Sequence, residues 1–231
     1  MAIGVAPPTA HNLLRTLAAR GYVAKSGRPV KYRLGPAVSQ LADLHTQRAW
    51  FRRAGQMLRG LFEELGDATV TIAELLAAEV SIILRCSPEG AGPLERPQAR
   101  HLHPYGSASS LAFQAFGPQE ALSAYRRRYP FWEFGATRWQ TPEALEEHLE
   151  VFRQQGYASP SQDDADAFLL AAPVFDASGE MIASIGASLS PSAQPHKREL
   201  AIDRVVRAAE ALSAQSAHIQ KERGDDPNAD C

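Results

Sequence analysis

Polar side chains that can read a nucleic acid are concentrated near the start of the chain. Thr9, His11, Asn12 and Arg15 lie within two turns of a possible helix, and each can exchange hydrogen bonds with base edges in a major groove. Six basic residues and no acidic residue occupy the first forty positions, so all 26 acidic residues lie behind them. The net charge of −2 conceals this asymmetry, which favours a polyanionic partner for the front segment.

A second group of candidates is the glycine and serine run at 106–110. If a helix begins there, its free N–H groups and the positive end of its dipole would favour an anion. The serine hydroxyls would add further donors. Helix capping by serine, with no ligand, is an equally acceptable interpretation of each hydroxyl.

The sequence carries no strong signature of catalysis. It has no Walker loop, no dinucleotide-binding glycine motif and no G-x-S-x-G elbow. Cys86, His101 and His103 could contribute to a zinc site, with both histidines on one face of a strand. No second cysteine pair accompanies them, and Cys86 has the setting of a buried thiol. We therefore predict no catalytic residue, no metal ligand and no cofactor.

The elements that must position the front candidates are a helix and a hairpin. Pro7, Pro8 and Thr9 favour a helix start, Leu13, Leu14 and Leu17 predict a buried stripe, and Gly21 predicts its end. Alternating strands over 22–25 and 30–34 flank a glycine- and proline-containing turn. A helix followed by a basic hairpin predicts a recognition helix and a wing. Arg28 and Lys31 of the wing would contact phosphate.

Behind this segment the pattern changes twice. Helix-forming residues dominate 36–65, with a break expected near Gly55, and strands are predicted over 69–75, 79–86, 168–176 and 181–189. Further helices are expected near Gly106, after Pro118, after Thr141 and over 200–212. Strand pairs with inserted helices indicate an α+β domain on an antiparallel sheet. No apolar run approaches the ~20 residues of a membrane span, and the sparse cysteines favour a cytoplasmic protein.

Several of these stretches resemble the isocitrate-lyase-regulator (IclR) family of bacterial transcription factors. The closing hairpin at 168–190 contains that family's alanine-alanine-proline-valine-phenylalanine-aspartate core, at 171–176, followed by Gly179. The segment 105–112 and the triplet 156–158 resemble two more family stretches. The front matches the family's winged helix-turn-helix pattern at Thr9, His11, Leu13, Leu14, Thr16, Leu17, Gly21, Tyr22, Tyr32, Arg33, Leu34 and Gly35.

The resemblance implies an α+β protein with a partial winged helix-turn-helix at 1–35, a linker helix at 36–65 and a GAF-like antiparallel-sheet effector-binding domain at 66–220. A disordered tail is expected at 221–231. It also implies a double-stranded DNA operator, a small effector such as an organic acid or aromatic metabolite, and a homodimer or homotetramer. Thr9, His11, Asn12, Arg15, Arg28 and Lys31 would contact DNA, and Ser107, Ala108, Ser109 and Ser110 would hold the effector.

One departure from the family pattern concerns the front segment. A winged helix has two helices before its recognition helix, and the chain offers only about eight residues there. We expect either that the native start lies upstream or that the protein is a shortened form. A metabolite-binding module that has lost DNA binding is therefore the main alternative, and a redox or hydrolytic enzyme on the rear fold is a more distant one.

Overall fold

The structure is a computed structural model that describes residues 7–26, 31–89, 100–160 and 167–224. These residues form two compact units, one ending at Phe51 and the other covering Arg52–Gly224. In chain order the elements are α1 (Pro7–Ala19), β1 (Val23–Ser26), β2 (Lys31–Leu34), α2 (Pro36–Leu65), β3 (Thr69–Leu76), β4 (Glu79–Cys86), β5 (Arg100–His101), α3 (Ala108–Phe116), α4 (Gln119–Arg128), α5 (Phe131–Phe134), α6 (Ala136–Trp139), α7 (Pro142–Gln155), β6 (Phe168–Phe175), β7 (Met181–Leu189) and α8 (Pro195–Gly224).

The first unit contains the predicted helix and hairpin. Helix α1 is followed by Gly21, whose φ of +75° lies in the left-handed region that glycine tolerates best. The N–H of Tyr22 then donates to the carbonyl of Leu17 at 2.9 Å. Strands β1 and β2 pair antiparallel from Val23 opposite Leu34 to Ser26 opposite Lys31. The hairpin prediction is thus confirmed, while the turn that contains Arg28 lies outside the described residues.

The predicted buried stripe on α1 is wrong. Leu13 is 54 % exposed and Leu17 is 40 % exposed, while Leu14 is only half-buried. The physical reason is that the element packed against α1 is much shorter than the helix. Within the described part of this unit, the four-residue β1 is the main strand in contact with the 13-residue helix. Burial of an apolar side chain requires a surface of comparable size to cover it.

Helix α2 is uninterrupted over Pro36–Leu65, so the break expected near Gly55 does not occur. A glycine inside a helix costs only about 1 kcal/mol relative to alanine. The neighbouring Ala54 and Leu58 are fully buried, and their packing offsets that cost. Among the described residues, no helix combines the length and the apolar content that a membrane span requires.

The second unit is built on a five-stranded antiparallel sheet in the order β5-β4-β3-β7-β6. Strands β4 and β7 have the predicted bounds, because apolar alternation and flanking turns define both ends. A bulge between Ile72 and Ala73 shifts the register of β3 against β4. Strand β5 has only two residues, Arg100 and His101, so the expectation that both histidines share one strand is wrong.

Helices pack against both faces of this sheet. Helices α3 and α7 enclose one core, in which Ala73 and Ala171 of the sheet meet Leu111, Phe113 and Leu149 of the helices. Successive side chains of a strand point to opposite faces. The intervening strand residues therefore face the other side, where α8 packs on β6 and β7 and its Ser213 hydroxyl accepts from the N–H of Phe175 at 2.9 Å.

The ends of several helices depart from the sequence prediction. Helix α8 begins at Pro195, before the predicted 200, and continues to Gly224. Four residues of the expected disordered tail are therefore helical, because Lys221, Glu222 and Arg223 are good helix formers and the first strong breaker is Gly224. The rest of that tail lies outside the described residues. The short helices α5 and α6 were not predicted.

Gly186 is the glycine whose replacement should perturb the sheet most directly. A Cβ at this position would lie 2.8 Å from the carbonyl oxygen of Leu170 and 3.3 Å from the Cβ of Ala171. Gly186→Ala is therefore expected to lower the free energy of unfolding by about 1–3 kcal/mol, as overpacking does in other cores.

The matched control for that change is Gly60→Ala in helix α2. A Cβ at Gly60 meets nothing within 4 Å among the described residues, so alanine should stabilise the helix by up to about 1 kcal/mol. Urea unfolding of both variants measures the difference. Equal stabilities for the two variants would contradict the close approach at Gly186.

Candidate functional site

The predicted DNA-contacting residues of α1 lie on its exposed surface. Thr9, His11, Asn12 and Arg15 are all solvent-exposed. His11 and Arg15 are four residues apart and therefore share one helix face. The hydroxyl of Thr16 donates to the backbone carbonyl of Asn12 at 3.0 Å. This bond does not use the side-chain amide of Asn12, which can bind other partners. Helix α1 thus presents hydrogen-bonding side chains to solvent over two turns.

The hairpin adds positive charge beside this helix. Lys31 is exposed on β2, and by strand alternation Arg33 shares its face. Arg33 was not among the predicted phosphate contacts, although its spacing of two from Lys31 places both side chains on one face of the strand. Lys25 lies on the opposite face, with its Nζ 5.8 Å from the ring centroid of Tyr32. Arg28, the other predicted wing contact, lies outside the described residues.

In the second unit, the N-terminus of α3 has the geometry of a capped helix. Ser107 is the N-cap, and its Oγ accepts from the N–H of Ser110 at 3.2 Å and donates to the Ser110 hydroxyl at 2.8 Å. The N–H groups of Ala108 and Ser109 donate to no described residue. These two groups are the orphan donors expected in the first turn of a helix.

The segment that leads into α3 is held by side chains from three other places in the fold. The Tyr125 hydroxyl and the Gln114 amide donate to the carbonyl of Pro104, at 3.1 and 3.0 Å. The indole N–H of Trp139 donates to the carbonyl of Tyr105 at 2.8 Å. Burial raises the pKa of Tyr125, so its hydroxyl stays protonated and can donate. These three hydrogen bonds hold the segment before α3 in place.

A cavity of about 350 Å³ lies between this N-terminus and the sheet. Ser107, Ala108 and Ser109, three of the four residues predicted to hold an effector, line it. Ser110 does not belong to this lining: its side chain is fully buried and is engaged by Ser107. This geometry does not test whether Ser110 contacts an effector, so that assignment stays a prediction.

The sheet contributes polar residues that sequence reasoning did not single out. Thr71 of β3 lies directly opposite Arg85 of β4, and Thr69 of β3 lies directly opposite Ser188 of β7. All four line the cavity, with an apolar wall that includes Leu102, Leu169 and Leu170. These residues have no regular spacing in the sequence. Only the pairing of β3 with β4 and β7 brings them together.

A larger cavity of about 810 Å³ shares Leu102, Ser107 and Leu169 with the smaller one. Its remaining lining includes the cationic Arg138, the neighbouring Thr137 and the acidic Glu133. Volumes of this size are typical of small-molecule sites. Trp139 beside it is buried, whereas Trp132 is 70 % exposed.

The three residues suggested as zinc ligands each have a different environment. Cys86 is fully buried, His101 pairs through Nδ1 with Glu79 at 2.8 Å, and His103 accepts at Nδ1 from the N–H of Tyr105 at 3.2 Å. Within the described ranges, no three metal-ligating side chains approach closely enough to hold an ion.

Comparison with known proteins connects both units to one family. The family model described as the bacterial transcriptional regulator IclR C-terminal matches residues 45–215, and the IclR helix-turn-helix domain matches residues 2–27. The chain belongs to the IclR family. This membership makes it a transcriptional regulator, in agreement with the predicted α+β architecture and DNA-binding front.

Two transcriptional regulators are among the relatives of the chain. It is 28 % identical over 224 residues to the HTH-type transcriptional regulator BhcR of Paracoccus denitrificans (strain Pd 1222), covering 91 % of this chain and 76 % of that one. It is 25 % identical over 190 residues to the regulator XynR of Escherichia coli (strain K12), covering 80 % and 74 %. These relatives are regulators rather than enzymes.

Solved structures share the fold. Pseudomonas aeruginosa HmgR superposes with a TM-score of 0.59 at 23 % identity, covering 92 % of this chain and 86 % of that chain. Thermotoga maritima IclR superposes with a TM-score of 0.58 at 20 % identity, covering 91 % and 86 %. The helix-turn-helix match over 2–27 counts against the alternative of a metabolite-binding module without a DNA-binding part.

Proposed function

We propose that this IclR-family chain binds an operator through α1 and the β1–β2 hairpin, and that a small organic anion in the cavity beside α3 modulates this binding. Thr9, His11, Asn12 and Arg15 would face the major groove, and Lys31 and Arg28 would contact phosphate. Two copies would place two such readers on symmetric half-sites, as a homodimer or within a homotetramer.

The observation that carries the effector part is the composition of the 350 Å³ cavity. Its described lining contains one cationic side chain, Arg85, and no acidic one. Five residues that carry a hydroxyl group line it: Thr69, Thr71, Ser107, Ser109 and Ser188. The positive end of α3 adds about half an elementary charge. A cavity that combines the N-terminus of a helix, hydroxyl-bearing residues and an apolar wall favours an anion with a carbon skeleton.

One helix connects the DNA-binding hairpin to the strand that lines the cavity. Helix α2 follows the hairpin and ends three residues before β3, whose Thr69 and Thr71 line the cavity. By thermodynamic linkage, an anion that changes operator affinity by some factor must have its own affinity changed by the same factor when operator is bound. We expect this factor to lie between about 5 and 150, the usual range for such coupling.

The DNA-binding part is tested with the full chain. A random-sequence duplex pool is selected for binding, and affinities of the recovered duplex and a shuffled one are measured by fluorescence anisotropy between about 50 and 200 mM salt. We expect tight binding of the recovered duplex that weakens steeply as salt increases, since each neutralised phosphate releases counterions. Failure to enrich any sequence, with a folded protein that ignores duplexes at low salt, would contradict the proposal.

Replacement of Arg15 tests the role of α1. Arg15→Gln keeps a hydrogen-bonding side chain but removes the guanidinium charge, and it should weaken binding to the recovered duplex by about 1–3 kcal/mol, or roughly five- to 150-fold. Arg127→Gln on α4, which is equally exposed and makes the same charge change, is the control. Similar affinities for the two variants would remove Arg15 from the interface.

A further inference from the structure

We propose that the second unit carries a surface that binds a second copy of this chain, with a basic patch on one copy docked against an acidic stripe on the other. The basic patch consists of Arg126 at the end of α4 and Trp132 on α5. The acidic stripe consists of Glu143, Glu147 and Val151 on α7. This contact between copies involves neither α1 nor the cavity beside α3.

Trp132 is the apolar anchor of the basic patch. Its side chain is 70 % exposed, although an indole is among the largest apolar groups of a protein. The ring packs edge-on against Phe131 at 5.3 Å between centroids, and Phe131 packs in the same way against the buried Tyr105 at 5.7 Å. Trp132 is thus joined to the core through aromatic contacts. Tryptophan and arginine are enriched among the residues that dominate binding energy at protein interfaces.

Arg126 brings a positive charge to the same group of aromatic rings. Burial raises the pKa of the Tyr105 hydroxyl, and the nearby guanidinium of Arg126 partly opposes that increase. Arg126 has no ion-pair partner among the described residues, whereas Arg128 pairs with Glu79 at 3.4 Å. Arg127 follows Arg126 directly and therefore points to a different side of the helix. Arg126 is accordingly the arginine of this run that is available to a carboxylate beside the exposed indole.

The acidic stripe lies along one side of α7. Glu143, Glu147 and Val151 follow each other at intervals of four, so they share one face of the helix. All three are exposed, Val151 by 51 %. In the described part of the chain neither glutamate has an ion-pair partner, whereas Arg153 of the same helix pairs with two other glutamates. Uncompensated carboxylates followed by an apolar side chain complement an arginine beside an exposed indole.

The basic patch and the acidic stripe lie on neighbouring parts of the second unit. Helix α6 contacts both α5 and α7, and its Trp139 packs against His148 of α7 at 4.8 Å between ring centroids. A two-fold contact is self-complementary, so one such arrangement forms two identical pairs of surfaces. Arg126 of each copy then pairs with Glu147 of the other, and each Trp132 packs on the stripe beside that pair.

Charge favours a second copy over a nucleic acid as the occupant of the basic patch. The chain behind position 40 holds all 26 acidic residues but only 18 of the 24 basic residues, a formal charge of −8. A duplex carries one negative charge per about 1.7 Å, so this acidic body repels it strongly. A second copy has a far lower charge density, and its acidic stripe supplies the local negative charge that Arg126 requires.

The test measures the mass of the full-length protein by sedimentation velocity over a range of protein concentrations. We expect Trp132→Ala and Arg126→Glu each to raise the dissociation constant of one association step roughly tenfold or more, as loss of an interface anchor does. Where the chain also pairs through another surface, these variants halve the mass of the assembly instead of producing monomers. Both residues are exposed, so Tm should stay at the wild-type value. A wild-type protein that does not associate, or variants with wild-type association, would overturn the inference.

Charge reversal identifies the partner surface. Arg126→Glu and Glu147→Arg should each weaken association, because like charges then meet across the contact. Combined in one chain, the two substitutions should restore association to within several-fold of the wild type, since both pairs again have opposite signs. Arg127→Glu is the matched control, with the same charge change one residue away. No recovery in the combined variant, or an equal loss in Arg127→Glu, would refute the pairing of the patch with the stripe.

Duplex binding distinguishes a protein partner from a nucleic acid. The affinity of each variant for a random duplex is measured by fluorescence anisotropy at about 50 mM salt, where contacts with phosphate are strongest. If Arg126→Glu weakens duplex binding while the mass of the assembly is unchanged, the basic patch contacts nucleic acid and the proposed contact between copies is wrong.

Discussion

Ser107→Asp should weaken anion binding roughly hundredfold without loss of stability. Aspartate caps helices about as well as serine, so the hydrogen bond to the N–H of Ser110 is retained. Its carboxylate can also accept from the Ser110 hydroxyl, which now accepts from Ser107. Ser107 lines the cavity, so the same carboxylate would lie beside the donors proposed to bind the anion. Repulsion between two charges about 5 Å apart at an effective dielectric constant near 20 is about 3 kcal/mol, which predicts a roughly hundredfold loss of affinity.

The matched control is Ser107→Asn, which also caps the helix but carries no charge. We expect Ser107→Asn to bind small carboxylates within several-fold of the wild type. Thermal unfolding should give similar Tm values for all three proteins. Equal ligand affinities for Ser107→Asp and Ser107→Asn would show that the anion does not approach the N-terminus of α3.

Leu149→Ala should lower the free energy of unfolding more than the other substitutions proposed above. Leu149 on α7 is fully buried in the core that α3 and α7 share with the sheet. Truncation removes transfer free energy and leaves a cavity, at a combined cost of about 2–5 kcal/mol. For a unit of this size each kcal/mol corresponds to about 2–4 °C in Tm.

Val151→Ala on the same helix is the control for this prediction. Val151 is 51 % exposed, so its truncation should change the free energy of unfolding by no more than about 0.5 kcal/mol. Urea unfolding followed by circular dichroism measures both variants. A Leu149→Ala protein as stable as Val151→Ala would mean that α7 does not pack on α3 as described.

Local patterns in the sequence predicted most of the secondary structure. Strand β4 alternates buried and half-buried residues along its whole length, and Thr141, Pro142 and Glu143 form a clear start for α7. The Thr141 hydroxyl accepts from the N–H of Ala144 at 3.2 Å, as that start requires. Helices α5 and α6 have four residues each, which is too short to produce a helical period.

The features that the sequence did not predict depend on contacts between residues that are distant in the chain. Ser107 and Ser109 were predictable because a helix start is a local feature. Thr71, Arg85 and Ser188 were missed because they converge through strand register. The register of Thr71 against Arg85 also depends on a bulge that has no sequence signature here. The burial of Leu13 was mispredicted because helical periodicity identifies an apolar face but not the element that covers it.

The cavity draws its walls from β3, β4, β6, β7 and α3, so residues from Thr69 to Ser188 must all be in place before it exists. Proteins are synthesised from the N-terminus, and helix α1 with its hairpin is complete long before β7 has been translated. A nascent chain still attached to the ribosome can therefore display the basic residues of α1 before the cavity beside α3 exists.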